Sequence, residues 1–376
     1  MSFTAKIKDV LIISSANFGA AIIYGMFWFF LAAILGKSEY GELGYLMSIA
    51  NVVSAISILG LGAMILVYEP KGQNVFPASF TITLISSIVA GILTFLITKE
   101  ISLSFLIVGM SLFFIVLSGL NSKHEFRKYA LHVLIRAGLS AVLSILLYYI
   151  LGITGILFGY FIASFIIIIE LRSFIKNKKI EFSYIKSKIN FVVQVWSTRL
   201  AGVLFWWGDK IIIGSILGFS MLGSYHFAAQ YLLLITTIPR TLNQYLIPYE
   251  AKGGEHKKIK IFSILIACLI ILISLFAVPI AINTILPTYV DSILPIQIMS
   301  IAIIPLTISS IQESEFLGKE NSRNVLVGSI FQTGTYFLFI IFLGQLLGLT
   351  GIAIGFLAAS IIRIIVNLVT NRFSVN

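Results

Sequence analysis

Apolar stretches of about 20 residues, the length that crosses the hydrocarbon core of a bilayer, recur from one end of the chain to the other. They can be placed over 10–35, 44–67, 76–97, 101–120, 130–151, 154–173, 193–217, 222–247, 259–281, 292–312, 325–346 and 351–370. The pattern predicts an all-α integral membrane protein with about 12 transmembrane helices. The first run, Val10 to Leu35, is too long for a signal-peptide core, and no small-residue cleavage site follows a short core, so it is read as the first span. The longest connector, roughly 174–192, contains IKNKKIEFSYIKSKINF. Its lysines and alternating apolar residues fit either a short amphipathic helix on the inner surface or a solvated linker.

Composition strengthens this picture. The chain has 376 residues, 59% of them hydrophobic and 11% charged, where soluble domains carry about a quarter charged residues. Mean hydropathy is +1.03. No stretch is left for a sizeable soluble domain. Cys268 is the single cysteine, which excludes an internal disulfide framework and a CxxC redox motif. GxSxG, HExxH and Walker A motifs are absent, so an enzyme is not expected.

The net charge of +11 is read as topology, not as nucleic-acid binding, because Lys and Arg collect in cytoplasmic loops. With the N-terminus inside, 19 of the 26 basic residues fall in inner segments, and only Lys37 and Lys99 fall outside. This predicts an N-in, C-in, multi-pass protein of the cytoplasmic membrane.

The chain also repeats itself. LGITGILFGYFIAS (151–164) matches LGLTGIAIGFLAAS (347–360) at eight of fourteen positions with an offset of 196. ILGKSEYG (34–41) pairs with ILGFSMLG (216–223), and YEPKG (68–72) with YEAKG (249–253), at offsets of 182 and 181. Matches in the same order imply two six-helix lobes, 1–190 (with the basic linker at about 174–192) and 191–376. Both begin on the inner side, so the repeat is parallel, a pattern common in transporters.

ILGKSEYG, the GDKIIIGSILG turn and LGLTGIAIGFLAAS together resemble the polysaccharide-exporter branch of the MOP flippase superfamily, the Wzx-type flippases of lipid-linked oligosaccharides, related to lipid II flippases and MATE exporters. The resemblance runs essentially the whole length, on glycine-punctuated turns more than on catalytic signatures. It implies two lobes in a V, alternating access and a central, often cationic, cavity.

Six charged residues fall well inside the spans: Arg136, Arg199, Asp209, Lys210, Arg240 and Arg363. A charge at mid-helix costs about 2.5–3.5 kcal/mol on insertion scales, and such a residue normally faces the bundle interior or a wet cavity. On a regular helix Arg199 and Lys210 are nearly eclipsed and about 16 Å apart, with Gly202 and Trp206 on the same stripe. Asp209 points about 100° away. It is expected to pair with a basic residue on another helix or to bind a coupling ion, Na+ or H+. Arg240 follows Pro239, whose ring breaks the helix bonding beside a charge. Arg136, Arg240 and Arg363 can equally snorkel to the inner interface. Glu313 and Glu315 read as helix-end acids or an inner gate. His132 has no partner at metal-ligand spacing.

Five in-span basic residues against one acid favour an anionic ligand, and arginine suits phosphate because its planar fork bonds two oxygens at once. The expected function is therefore alternating-access flipping of a lipid-linked (pyro)phosphate oligosaccharide from the inner to the outer leaflet. Arg199, Lys210, Arg240, Arg136, Arg363 and Trp206 would bind substrate, and Asp209 would serve as ion-pair or coupling residue. Expected partners are the lipid-linked anionic glycan and membrane lipids, with no nucleic acid. A monomer is expected, with glycan polymerase or transferases as candidate associates. The alternatives are a MATE-like cation-coupled drug exporter, for which only Asp209 offers an acid, and a polytopic glycosyltransferase or polymerase.

Overall fold

The computed structural model describes residues 3–175, 180–250, 257–318 and 322–374, with side chains described over 11–175, 180–237, 260–316 and 323–372. The described chain is helical. The helices are α1 (Phe3–Ile34), α2 (Lys37–Ile58), α3 (Leu61–Tyr68), α4 (Phe76–Thr98), α5 (Ile101–Ser122), α6 (Phe126–Leu151), α7 (Ile153–Ser164), α8 (Ile168–Ile175), α9 (Ser183–Ser187), α10 (Ile189–Val203), α11 (Asp209–Leu217), α12 (Phe219–Glu250), α13 (Lys257–Ile285), α14 (Ile293–Ile301), α15 (Ile303–Gly318) and α16 (Ser322–Ser374). Among the described residues ten stretches are long and apolar enough to cross a membrane. The last of these, Arg323–Arg372, runs for 50 residues, and Gly348 kinks it with φ 58° and ψ −136°. α12, 32 residues long, is not among the ten, and much of it lies outside the described side chains.

Breaks inside the predicted spans have local causes. The expected span 44–67 turns instead at Leu59–Gly60, both at positive φ, and resumes as α3. Close approach explains the glycine: a Cβ at Gly60 would meet the Val192 carbonyl oxygen at 2.6 Å. The expected span 292–312 breaks between α14 and α15, just before Pro305, which lacks the amide that would bond the carbonyl four residues back.

The chain divides into two compact units. Unit 1 is Met1–Phe27 with Leu46–Val203, and unit 2 is Trp28–Tyr45 with Leu204–Asn376. The core of unit 1 gathers Ile58, Leu61, Met64, Phe76, Val116 and Phe174, with the Phe76 and Phe174 rings stacked at 4.3 Å. Gly119 makes room for them, since a Cβ there would lie 2.6 Å from Phe76 and 2.8 Å from Phe174. Part of the basic linker docks on this core: Ile185 is buried in it, while Lys186 and Ser187 stay exposed. That is the amphipathic character of its alternating residues.

The matched 14-residue segments fold alike in the two units. Gly152, at φ 62° and ψ −144°, turns α6 into α7, and Gly348 makes the same turn inside α16. Only glycine adopts that backbone region readily. In unit 1 a Cβ at Gly155 would strike the Leu147 carbonyl, and in unit 2 a Cβ at Gly351 would strike the Leu343 carbonyl. Leu147 and Leu343 are themselves 196 apart. Each segment is thus a tight antiparallel helix hairpin that only small residues permit.

Unit 2 holds a second reciprocal contact. A Cβ at Gly41 would strike the Phe219 carbonyl, and one at Gly223 would strike the Lys37 carbonyl. The N-terminal turns of α2 and α12 therefore cross backbone to backbone. Beside the crossing, Lys37 Nζ pairs with Asp291 at 2.7 Å, and Ser224 Oγ donates to Asp291 Oδ2 at 3.1 Å.

Candidate functional site

Between α10 and α11 the segment Leu204–Gly208, LFWWG, forms a π-helical turn. The i→i+5 bonding of such turns adds a residue to the loop, and they are often found at functional sites. Gly208 allows a close neighbour here: a Cβ would lie 2.8 Å from the Phe337 ring. The chain also passes from unit 1 to unit 2 at Val203–Leu204, where this turn begins.

The turn resets the bonding of the residues after it. In an unbroken α-helix the Lys210 amide would donate to the Trp206 carbonyl. Here the Trp206 carbonyl accepts from Lys210 Nζ at 2.7 Å, and the Lys210 amide donates to Asp209 Oδ1 at 2.8 Å. Lys210 Nζ also lies 3.2 Å from Asp209 Oδ1. The other carboxylate oxygen accepts from the Tyr225 hydroxyl, and that hydroxyl lies 2.7 Å from the Tyr336 hydroxyl. Asp209 and Lys210 are 2% and 1% exposed. The Trp207 and Tyr225 rings face the ammonium at 5.2 and 5.8 Å. Phe205, Phe356 and Tyr336 close the cluster, with the first two rings stacked at 5.4 Å.

The geometry therefore departs from the sequence reading of these two residues. Asp209 pairs with its own neighbour and not with a base on another helix, and Lys210 is enclosed. The reason is the π turn, which the regular 100° spacing ignores. Neighbouring side chains that diverge on a regular helix meet here because the lysine folds back, its ammonium reaching both the Trp206 carbonyl and Asp209 Oδ1. Trp206, half-buried, contributes its carbonyl to the cluster and packs its ring on Phe205 and Phe356.

The arginines are held differently. In unit 1 the Arg199 guanidinium lies 3.6 Å from the Phe114 ring centroid, and among the described residues it makes no hydrogen bond or ion pair. Arg136 lies 4.4 Å from the Phe113 ring centroid and donates from Nε to Ser164 Oγ at 3.1 Å. It has no carboxylate partner among the described residues. Both are half-buried. In unit 2, Arg363 is already engaged, donating to Glu313 at 2.9 Å and to Gln332 at 3.0 Å. Glu315 pairs with Lys260 at 2.7 Å. The side chains of Pro239 and Arg240 lie outside the described residues.

Several participants escaped the sequence reading. Tyr225 reaches Asp209 from 16 residues away, and Tyr336 reaches Tyr225 from 111 residues away, with no spacing signal to mark them. His132 Nε2 lies 3.3 Å from Glu170, which also takes Lys128 at 3.0 Å. A signal for this cluster was present: Lys128, His132 and Arg136 recur at intervals of four, on one helical face.

The fold that carries these clusters is shared with known transporters. The structure of the lipid II flippase MurJ in an inward closed conformation matches it with a TM-score of 0.82 at 14% identity, covering 96% of this chain and 87% of that one. A multidrug resistance MATE family transporter in an inward-facing conformation matches with a TM-score of 0.66 at 15% identity, covering 97% and 94%. A MOP superfamily transporter from Pyrococcus furiosus, described by the reverse polarity of its binding pocket, matches with a TM-score of 0.62 at 14% identity, covering 98% and 95%. No curated protein matches the chain by sequence. The protein is thus a multi-pass membrane protein whose fold is that of MOP superfamily transporters. Residues 30–290 match the family model described as polysaccharide biosynthesis protein, and the chain belongs to that family.

Proposed function

We propose that this transporter flips a lipid-linked (pyro)phosphate oligosaccharide from the inner to the outer leaflet by alternating access. The observation that carries this reading is the state of Arg199 and Arg136. Each is held on a phenylalanine ring, half-buried in a membrane span, with no acid paired to it among the described residues. A guanidinium so positioned keeps its donor fork for a phosphate, and charge-assisted bidentate bonds there are roughly twice as strong as neutral ones. Membership of the polysaccharide biosynthesis family supports a glycan as the cargo.

In this reading Arg199 and Arg136 of unit 1 receive the anionic head group, and Arg240 and Arg363, the latter after release from Glu313, are substrate-binding residues of unit 2. Lys210 and Trp206 brace unit 2 from within the buried cluster and do not contact the cargo. Asp209 acts as the ion-pair residue. Both of its oxygens are occupied by Lys210 and Tyr225, which argues against the alternative of a cation-coupled drug exporter built on this acid. The duplicated hairpins support 12 helices in two parallel repeats. The bias of basic residues supports an N-in, C-in orientation in the cytoplasmic membrane.

The test is reconstitution of the protein in liposomes with a fluorescent lipid-linked pyrophosphate oligosaccharide. Arg199→Ala is expected to lose most flipping while folding normally. Unchanged flipping in Arg199→Ala and in Arg136→Ala would remove the basis of the reading.

A further inference from the structure

Unit 1 carries a polar cavity that the flipping reading does not use. It has a volume of about 310 Å³ and is lined by Gln73, Asn74, Glu181, Ser183, Tyr184 and Ser187. Two stretches of chain form it: the turn between α3 and α4, and the linker segment running into α9. Glu69 fixes the first by accepting from the Val75 and Phe76 amides at 3.0 Å each. Ile185, buried in the core beneath, fixes the second.

One acid lines this cavity, and two lysines stand next to its lining residues in the chain. Lys71, two residues before Gln73, sets its ammonium 5.3 Å from the Tyr68 ring centroid. Lys188, next to Ser187, sets its ammonium 5.9 Å from the same ring. That ring meets Tyr184 of the lining edge to face at 5.5 Å. Glu181 contributes a carboxylate to the wall itself. Among the described residues none of these three charged side chains makes a hydrogen bond or ion pair. Apolar side chains stand exposed beside them: Ile180, Phe182 and Ile189 are each 50% exposed. The membrane spans Phe76–Thr98 and Ile189–Leu217 both start at this place.

We propose that the cavity binds the head group of a zwitterionic aminophospholipid. Two unpaired ammoniums receive the phosphate, the unpaired Glu181 carboxylate receives the lipid ammonium, and the Gln73 amide and the Ser183 hydroxyl bond the ester oxygens. Ile180, Phe182 and Ile189 meet the acyl chains. Basic residues beside apolar ones at the end of a span are the usual means of holding a lipid head group. The single carboxylate in the wall is what distinguishes an amine-bearing head group from a purely anionic one.

The experiment is native mass spectrometry of the full-length protein, titrated separately with phosphatidylethanolamine, phosphatidylglycerol and soluble phosphoethanolamine. The wild type should hold one phosphatidylethanolamine more tightly than phosphatidylglycerol, and phosphoethanolamine should not displace it at equal concentration. The paired change Lys71→Gln and Lys188→Gln should weaken that adduct about tenfold. Glu181→Gln should erase the preference over phosphatidylglycerol, and Ser187→Trp should fill the cavity and abolish the adduct. Tighter binding of phosphatidylglycerol by the wild type would overturn the proposal, as would displacement by the soluble head group. So would an adduct unaffected by both the lysine changes and Ser187→Trp. None of these positions touches Arg199 or Arg136, so failure here is distinguishable from failure of the flipping reading.

Discussion

The two units handle intramembrane charge in opposite ways. In unit 2, Asp209 and Lys210 are enclosed and saturated: every oxygen of the acid and the ammonium of the base has a partner. In unit 1, Arg199 and Arg136 are half-buried and rest on rings, with their carboxylate partners missing among the described residues. A charge that is buried and paired locally has less hydrogen-bonding capacity left with which to hold a ligand. A charge laid on an aromatic face is stabilised by about 0.5–2 kcal/mol and keeps its hydrogen-bonding capacity. The difference separates charges that build the protein from charges that can serve its cargo.

The comparison is broken most directly at the buried pair. Asp209→Ala or Lys210→Ala leaves one uncompensated charge, and removing a single partner of a buried pair costs about 3–5 kcal/mol. Each single change should lower the thermal midpoint and folded yield sharply. The double change Asp209→Leu with Lys210→Met should recover most of the loss, because replacing both partners by apolar groups is often close to neutral. A double variant as unstable as either single one would mean that the cluster is held by something other than its charge balance.

Arg199→Ala should do the reverse, with stability nearly intact and transport reduced. Losing a charged hydrogen bond to phosphate, worth about 1.5–3 kcal/mol, corresponds to roughly a 10- to 100-fold fall in the initial rate of flipping. Arg199→Lys keeps the charge but not the fork, and should fall between the two.

Smaller effects sharpen the picture. Tyr225→Phe removes the hydroxyl that Asp209 and Tyr336 share, and should cost about 1.5–3 kcal/mol in a denaturation assay. Arg363→Gln breaks the pair with Glu313 and the hydrogen bond to buried Gln332, and should lower stability by about 1–2 kcal/mol.

The hairpins were legible in the sequence because glycine is required where φ is positive or where a carbonyl approaches. Gly152 and Gly348, with Gly155 and Gly351, repeat both requirements at one offset. The in-span arginines were legible for a similar reason, since charge stands out against an apolar run. The pairing of Asp209 with Lys210 was not legible. A helical wheel assumes one angle per residue, and Leu204–Gly208 departs from it. Tyr225 and Tyr336 were hidden because long-range hydroxyl contacts leave no periodic trace. The spans at 44–67 and 292–312 were drawn through their breaks because hydropathy registers apolar length and not backbone bonding.

The most direct test of this division of labour is one flipping assay comparing two variants in the same liposomes. With a lipid-linked pyrophosphate oligosaccharide as the probe, the Asp209→Leu, Lys210→Met double variant should keep most of the wild-type rate per folded molecule, and Arg199→Ala should lose about 10-fold or more. Loss of flipping in the double variant with retention in Arg199→Ala would contradict the account.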